Sequence, residues 1–377
     1  MISGLDEVVV AETVLSDVDG QAGRLIIRGH SLDELVGETT YESMLSLLWT
    51  GLFTATPQPT DMAAQLALAR QEVFNHLEAA DAQLLQQPVF DGVRALIARL
   101  SDGDDLGCAL RLVAGSAVFT PGILRLKRGL APVPPSLELG HASDMLRMLH
   151  DTPPTPEQAS ALDNYWITAS DHGLNASTFV ARVVASTRAG LASAIVAAMG
   201  ALKGPLHGGA PGPVLDALDS IGSADQATDW LQNALDRGER LMGFGHRIYR
   251  VRDPRADAVK NAIQGLARVG QVDPERLRLA EAVEAAALEL LALKKPNRSL
   301  QTNLEFYTAL LLEALGFPRD AFTCVFAGGR TVGWIAHARE QTLNGRLIRP
   351  QSRYVGPQPA HSTYRSPPTP PPADRLQ

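Results

Sequence analysis

A chain of 377 residues, 45% hydrophobic and 20% charged, holds apolar material for one large core or two and lies outside the composition of disordered proteins. Its formal charge of −7 excludes a general attraction to polyanions, so nucleic acid is not an expected partner, although a local basic pocket for a phosphorylated ligand remains compatible with it. Cys108 and Cys324, far apart and in apolar surroundings, predict buried free thiols, with neither a disulfide nor a metal site.

The N-terminal residues MISGLDEVVV contain neither a basic n-region nor an apolar h-region, and no apolar run reads as the ~20 residues of a membrane span. A cytoplasmic protein without membrane contact is expected. Asn175-Ala-Ser and Asn297-Arg-Ser fit the glycosylation sequon and are read as accidents in the absence of secretion. Residues 7–15 and 24–28 form extended runs around the turn-rich 16–23, which predicts a short N-terminal β-hairpin.

Everything after it looks helical. Ser31-Leu-Asp-Glu34 and Thr39-Thr-Tyr-Glu42 read as capping boxes, in which a hydroxyl accepts from a first-turn amide and the glutamate reaches back. Thr155-Pro-Glu-Gln158 combines an N-cap with proline at the first helical position and opens a helix that brings Asp171 and His172 near its end. Alanine- and leucine-rich stretches predict further helix over 176–201, 225–238, 256–268, 279–293, 303–316 and 330–343, so the fold is expected to be mainly α, with no internal repeat. The proline-rich tail, 357–377, is expected to be extended or mobile.

Four stretches concentrate Gly, His, Arg and carboxylate. In GPLHGGAPGP, residues 204–213, glycines and prolines around His207 hold the backbone open at a helix end; a ligand could approach there, or the segment is a plain interhelical loop. Residues 242–255 hold His246, four arginines and two glycines, a density that suits an anionic ligand because guanidinium forks match carboxylates and phosphates; a solvated basic loop is the alternative. Neither histidine has ligands at metal spacing. Residues 294–307 lead from a basic loop into a helix with Glu305 in its first turn, where a carboxylate could simply complement the helix dipole. Arg330 and Arg349, taken alone, read as surface charges.

In this order, DHGLNASTF, GPLHGGA, MGFGHRIYRVRDPRA, TNLEFYTALLLEALGFP and RLIRPQSRYVGP closely resemble the citrate synthase family, including its 2-methylcitrate synthase members, from about Gly4 to Gly356. The resemblance implies a homodimer of two-domain helical subunits: a large domain over 1–208 and 317–356, a small domain over 209–316, and a cleft that closes on oxaloacetate before acetyl-CoA binds. It also implies roles. His207 donates to the thioester carbonyl, His246 polarises the ketone of oxaloacetate, and Glu305 abstracts the methyl proton. His172, Arg255 and Arg330 hold the oxaloacetate carboxylates together with Arg349 from the neighbouring subunit. Leu241, Met242, Gly243, Phe244 and Gly245 cup the adenine of CoA, and Arg250, Lys295 and Arg298 face its phosphates. Acetyl-CoA is then a substrate, and neither metal nor other cofactor is expected.

Two positions depart from the family pattern. Most members carry aspartate where this chain has Glu305, and many carry glutamate where it has Gly173. The expected activity is synthesis of citrate, with 2-methylcitrate synthesis from propionyl-CoA as the alternative, because the two donors differ by one methyl group. A weak CoA- or dicarboxylate-binding regulatory paralogue and a citryl-CoA-cleaving enzyme are the further readings.

Overall fold

Among the described residues, the extended run predicted before residue 16 pairs only at its end, where the Leu15 carbonyl accepts from the Arg28 amide at 2.8 Å; just upstream the Val14 amide donates to Glu340 Oε1 at 3.0 Å. The first strand lies instead inside the predicted turn. β1 (Ser16–Asp19) pairs antiparallel with β2 (Arg24–Ile27), and β3 (His30–Ser31) completes a three-stranded sheet in the order β1-β2-β3. Asp19 Oδ1 tightens the first turn by accepting from the Gln21 and Ala22 amides at 3.0 and 2.9 Å. In the second, Arg28 (φ 50°) and Gly29 (φ 88°) both adopt the left-handed conformation that a two-residue hairpin turn requires. The computed structural model describes residues 5, 8–208, 211–246, 248–296, 298 and 300–357; Asn297 of the second sequon and the tail beyond Pro357 lie outside them.

The remaining elements are helices. Thr155 caps Pro156–Ala169 as predicted, with Gln158 reaching back to the Thr155 amide at 3.0 Å. The predicted box at Thr39 shifts by one residue. Thr40 is the cap of Tyr41–Trp49, and Glu42 turns inward to accept from the His141 amide at 2.7 Å, which leaves it no part in a box. The predicted stretch 176–201 is two helices, Ala176–Ser186 and Leu191–Leu202. They are separated by Arg188 (φ 61°) and Gly190 (φ 97°), and Asp102, from far upstream, caps the second by accepting from the amides of Ala192 and Ser193 at 2.8 and 3.0 Å.

One apolar run forms a helix outside the predicted stretches. Leu106–Lys127 is a 22-residue helix long and apolar enough to cross a membrane, and 83% of its apolar window is buried inside the protein, where it packs on Pro59–Phe74, Val89–Ile97 and His141–His150. The second core helix, Phe322–Asn344, begins eight residues before the predicted 330. Gly328 and Gly329, just before the predicted start, are contact points within the helix: a Cβ on Gly329 would stand 2.7 Å from Trp166 Cδ1, and one on Gly333 would stand 2.1 Å from the Ser170 carbonyl. These glycines let Pro156–Ala169 cross closely and bring residues 170–172 against Arg330. Cys108 and Cys324 are buried free thiols; burial pushes Cys108 up to about 11 and Cys324 higher still.

The described residues up to Leu347 form one compact unit and those from Ile348 to Pro357 belong to a second, in which Tyr354 Oη donates to the Pro357 carbonyl at 2.9 Å. Within the first unit, Glu284 of Pro274–Lys294 is held against Pro254–Arg268 and Leu304–Ala314. Its buried carboxylate accepts from Arg252 (3.1 Å), Lys260 (2.7 Å), Thr302 (2.7 Å) and Tyr307. Burial opposes ionisation, but these donors outweigh it and hold Glu284 down at about 2. Because the folded pKa lies below the unfolded one, the stabilisation is complete above the unfolded value of 4.5 and disappears as pH falls toward 2. Urea unfolding of wild type and Glu284→Gln should therefore differ by about 3 kcal/mol near neutrality and converge at the acid end. A gap that does not depend on pH would show that Glu284 acts through packing alone.

Candidate active site

Six of the sequence-predicted residues meet in one cluster. Asp171 and His172 follow the C-terminus of Pro156–Ala169, and Arg330 projects from Phe322–Asn344, donating from Nε to the Ala169 carbonyl. Arg330 is fully buried with its Nη2 unpaired; burial lowers it to about 10, with Asp171 opposing and Arg255 adding to the shift. His172 is buried beside both arginines and held well below its ordinary value by that burial and by the cations of Arg255 and Arg330. His172 Nε2 lies 3.2 Å from Tyr249 Oη, and its ring meets that of His246 edge-on at 5.5 Å.

The two further histidines are neutral donors, each with its tautomer fixed. His207, after Leu191–Leu202, accepts at Nε2 from the Ser177 amide (3.3 Å), and Ser177 Oγ stands 2.7 Å away, so its proton resides on Nδ1. Trp334 Nε1 in turn donates to Ser177 Oγ at 3.1 Å. His246 accepts at Nδ1 from the amides of Ile248 and Tyr249, both at 3.1 Å, so its proton resides on Nε2. Burial, with Arg330 in one case and Arg255 in the other, lowers both histidines to about 4.

Arg255 opens Pro254–Arg268 and is clamped by Asp253, which accepts from its Nε (3.0 Å) and Nη2 (2.8 Å). Burial disfavours the cation, yet Asp253 raises its pKa above the ordinary value. The same Nη2 lies 3.3 Å from His246 Nε2. Both atoms carry hydrogen, so this is a pair of donors converging on one point, a geometry that serves an oxygen of an anionic ligand.

Glu305 sits in the first turn of Leu304–Ala314 behind Asn303, whose side chain caps the helix. Burial raises its pKa, against the nearby cations of Arg255 and Arg240 and with Asp253 adding to the rise. The predicted CoA loop is zippered to the same segment. Gly245 N donates to the Gln301 carbonyl (2.7 Å), Asn303 N to Gly243 (3.0 Å), and Asn303 Nδ2 to Gly245 (3.0 Å). Gly243 and Gly245 are left-handed, at φ 85° and 83°, and a Cβ on either would stand 2.8 Å from Phe306 or Leu300. Beneath the loop lies a cavity of about 260 Å³, lined by Arg240, Leu241, Met242, Phe244, Phe306 and Trp230 among others.

Not every predicted residue joins the cluster. Arg250, Lys295 and Arg298 are exposed, the last two in one turn where the Arg298 amide donates to the Lys295 carbonyl at 3.0 Å. Arg349 is exposed and belongs to the second unit. Gly209, Ala210 and Arg247 of the histidine motifs lie outside the described residues. Among the described residues no cluster of three His, Cys, Asp or Glu could hold a metal ion.

Several residues of the site lie outside the predicted set: Ser177, Tyr249, Asp253, and Arg182 and His337, which form a buried chain to Asp171. Arg182 donates to His337 Nδ1 at 3.0 Å, so His337 Nε2 donates to Asp171 at 3.1 Å. Burial opposes ionisation of Asp171, but His337, Ser16 and Arg330 hold it below the usual carboxylate range.

The family model described as "Citrate synthase, C-terminal domain" matches residues 4–351. The chain is 36% identical to citrate synthase of Haloferax volcanii over 94% of its own length and 95% of that protein. It is 35% identical to 2-methylcitrate synthase of Mycobacterium tuberculosis over 94% and 90% respectively. Among solved structures, the ternary complex of carboxymethyl coenzyme A and oxaloacetate with citrate synthase from Thermoplasma acidophilum superposes with a TM-score of 0.81 at 25% identity, covering 95% of this chain and 96% of that one.

Proposed function

Because this chain belongs to the citrate synthase family, enzymes of acyltransferase type, we propose that it condenses acetyl-CoA with oxaloacetate and hydrolyses the resulting citryl-CoA. The observation that carries the reading is the convergence of His246 Nε2 and Arg255 Nη2, 3.3 Å apart, beside buried Arg330 with its unpaired Nη2. Three positive or donor groups in one buried place suit a small molecule with two carboxylates and a ketone. In this reading His172, Arg255 and Arg330 hold the carboxylates, and His246 donates to the ketone oxygen.

Glu305 then removes a methyl proton from acetyl-CoA while Nδ1–H of His207 donates to the thioester oxygen. A weak carbon acid needs both at once. The enol carbon attacks the polarised ketone, a carbon–carbon bond forms, and water cleaves the thioester to release citrate and free thiol. The cavity beneath Leu241–Gly245 supports placing the adenine there, with Arg250, Lys295 and Arg298 toward the phosphates. We further propose a cytoplasmic homodimer in which a small domain, 209–316, closes on a large one, 1–208 with 317–356, and in which the neighbouring subunit supplies Arg349.

Thiol release from acetyl-CoA and from propionyl-CoA with oxaloacetate tests the proposal. Turnover with neither donor would sink it. The likeness to a 2-methylcitrate synthase makes the second donor necessary, since one methyl group separates the two by only ~1–3 kcal/mol in an apolar pocket. Acetyl-CoA is expected to give the larger kcat/KM; a larger value with propionyl-CoA would assign 2-methylcitrate synthesis instead.

A further inference from the structure

We propose that the β1–β2 hairpin is a latch that joins the two sides of this site and sets the spacing between His172 and His246, with Ser16 and Gly20 as its positioning residues. At one end, Ser16 Oγ accepts from the Gly173 amide at 3.1 Å, and its hydroxyl helps hold the Asp171 carboxyl below the usual range. Val18 lies over the same segment, its Cγ2 within 3.3 Å of where a Cβ on Gly173 would stand. At the other end, the Gly20 carbonyl accepts from the Arg250 amide at 2.8 Å. A Cβ on Gly20 would meet the Ile248 carbonyl oxygen at 2.3 Å, and one on Gly23 would meet Val251 Cγ2 at 2.6 Å.

Ser16 and Gly20 are four residues apart, roughly 13 Å along an extended strand, so one short rigid element touches both flanks. Inside the site the same flanks are bridged by Tyr249, whose amide donates to His246 Nδ1 at 3.1 Å and whose hydroxyl lies 3.2 Å from His172 Nε2. The hairpin thus backs, from outside, the peptide segment that fixes both the tautomer of His246 and its distance from His172. It is itself tied down, because the Val14 amide donates to Glu340 on the helix that carries Arg330. The packing leaves backbone against backbone at Gly20, where no flexible side chain can yield.

Three variants test the latch, which rests on the condensation reading for its kinetic readout. Gly20→Ala should raise KM for oxaloacetate about tenfold, as a sub-ångström displacement of donors does, while KM for acetyl-CoA at saturating oxaloacetate moves less than about threefold. In the absence of any substrate, amide hydrogen exchange over residues 248–252 should accelerate in the same variant. Gly29→Ala strains the same sheet at a left-handed glycine with open space around it and should change neither quantity. Ser16→Ala, milder and the fallback if Gly20→Ala fails to fold, should raise KM for oxaloacetate about threefold. Wild-type KM and exchange in Gly20→Ala, or the same changes in Gly29→Ala, would overturn the proposal. If the wild type turns over neither acyl-CoA, the condensation reading fails, and the exchange comparison alone decides the latch.

Discussion

Replacing Glu305 by alanine is expected to lower kcat about 10²- to 10⁴-fold, the range of a lost general base, while KM for oxaloacetate changes far less. The carboxylate is held at the mouth of Leu304–Ala314 with its pKa raised by burial, which strengthens it as a base, and the cations of Arg255 and Arg240 keep the ionised form accessible. Glu305→Asp keeps the charge and withdraws the oxygens by about an ångström, so a loss of about 10- to 100-fold should follow unless the helix advances. Steady-state kinetics with acetyl-CoA separate the cases. A kcat for Glu305→Ala within about threefold of wild type would move the base to another residue.

The largest expected loss of stability comes from Asp253→Ala. Asp253 is buried, neutralises Arg255 through two hydrogen bonds, caps Pro254–Arg268 by accepting from the Arg255 amide at 3.1 Å, and accepts from the Leu304 amide at 3.3 Å. Its removal strands a guanidinium away from water and uncaps two helix starts together, and breaking such a pair costs about 3–5 kcal/mol. Asp253→Asn retains an acceptor for the amides but not the charge and should fall between. Urea unfolding measures both. A loss under about 1 kcal/mol for the alanine variant would mean that Arg255 finds another partner or reaches solvent.

The helical class was legible because its signals are local: the hydroxyl caps, the prolines at helix starts and the alanine-leucine periodicity all act within one turn. Where a distant residue intervened, the reading failed. Glu42 left its box for the His141 amide, Asp102 capped a second helix inside one predicted stretch, and Gly328 and Gly329 became a helix crossing only because Trp166 arrives there. In the site, His172, His207, His246, Arg255, Glu305 and Arg330 carried recognisable motifs, whereas most of their supports did not. Ser177 lay in plain view inside a sequon match. Its neighbour Asn175 caps a helix by accepting from the Thr178 amide at 3.1 Å, while Ser177 serves His207 from thirty residues away. The Asp-Pro pair at 253–254 was a readable capping signal for Asp253. Nothing in the sequence connects His337 to Asp171, because their pairing exists only through the packing of two helices.

That packing also gives the molecule an optical handle. Trp334 Nε1 donates to Ser177 Oγ, which stands against His207 Nε2, so one indole shares a hydrogen-bonded chain with the histidine proposed to meet the thioester. Indole emission responds to whether and how strongly its N–H is bonded, and this one is shielded from solvent. With Trp49, Trp166 and Trp230 replaced by phenylalanine, the chain becomes its own fluorescent probe of the surroundings of His207, without a dye, a label or a coupled assay.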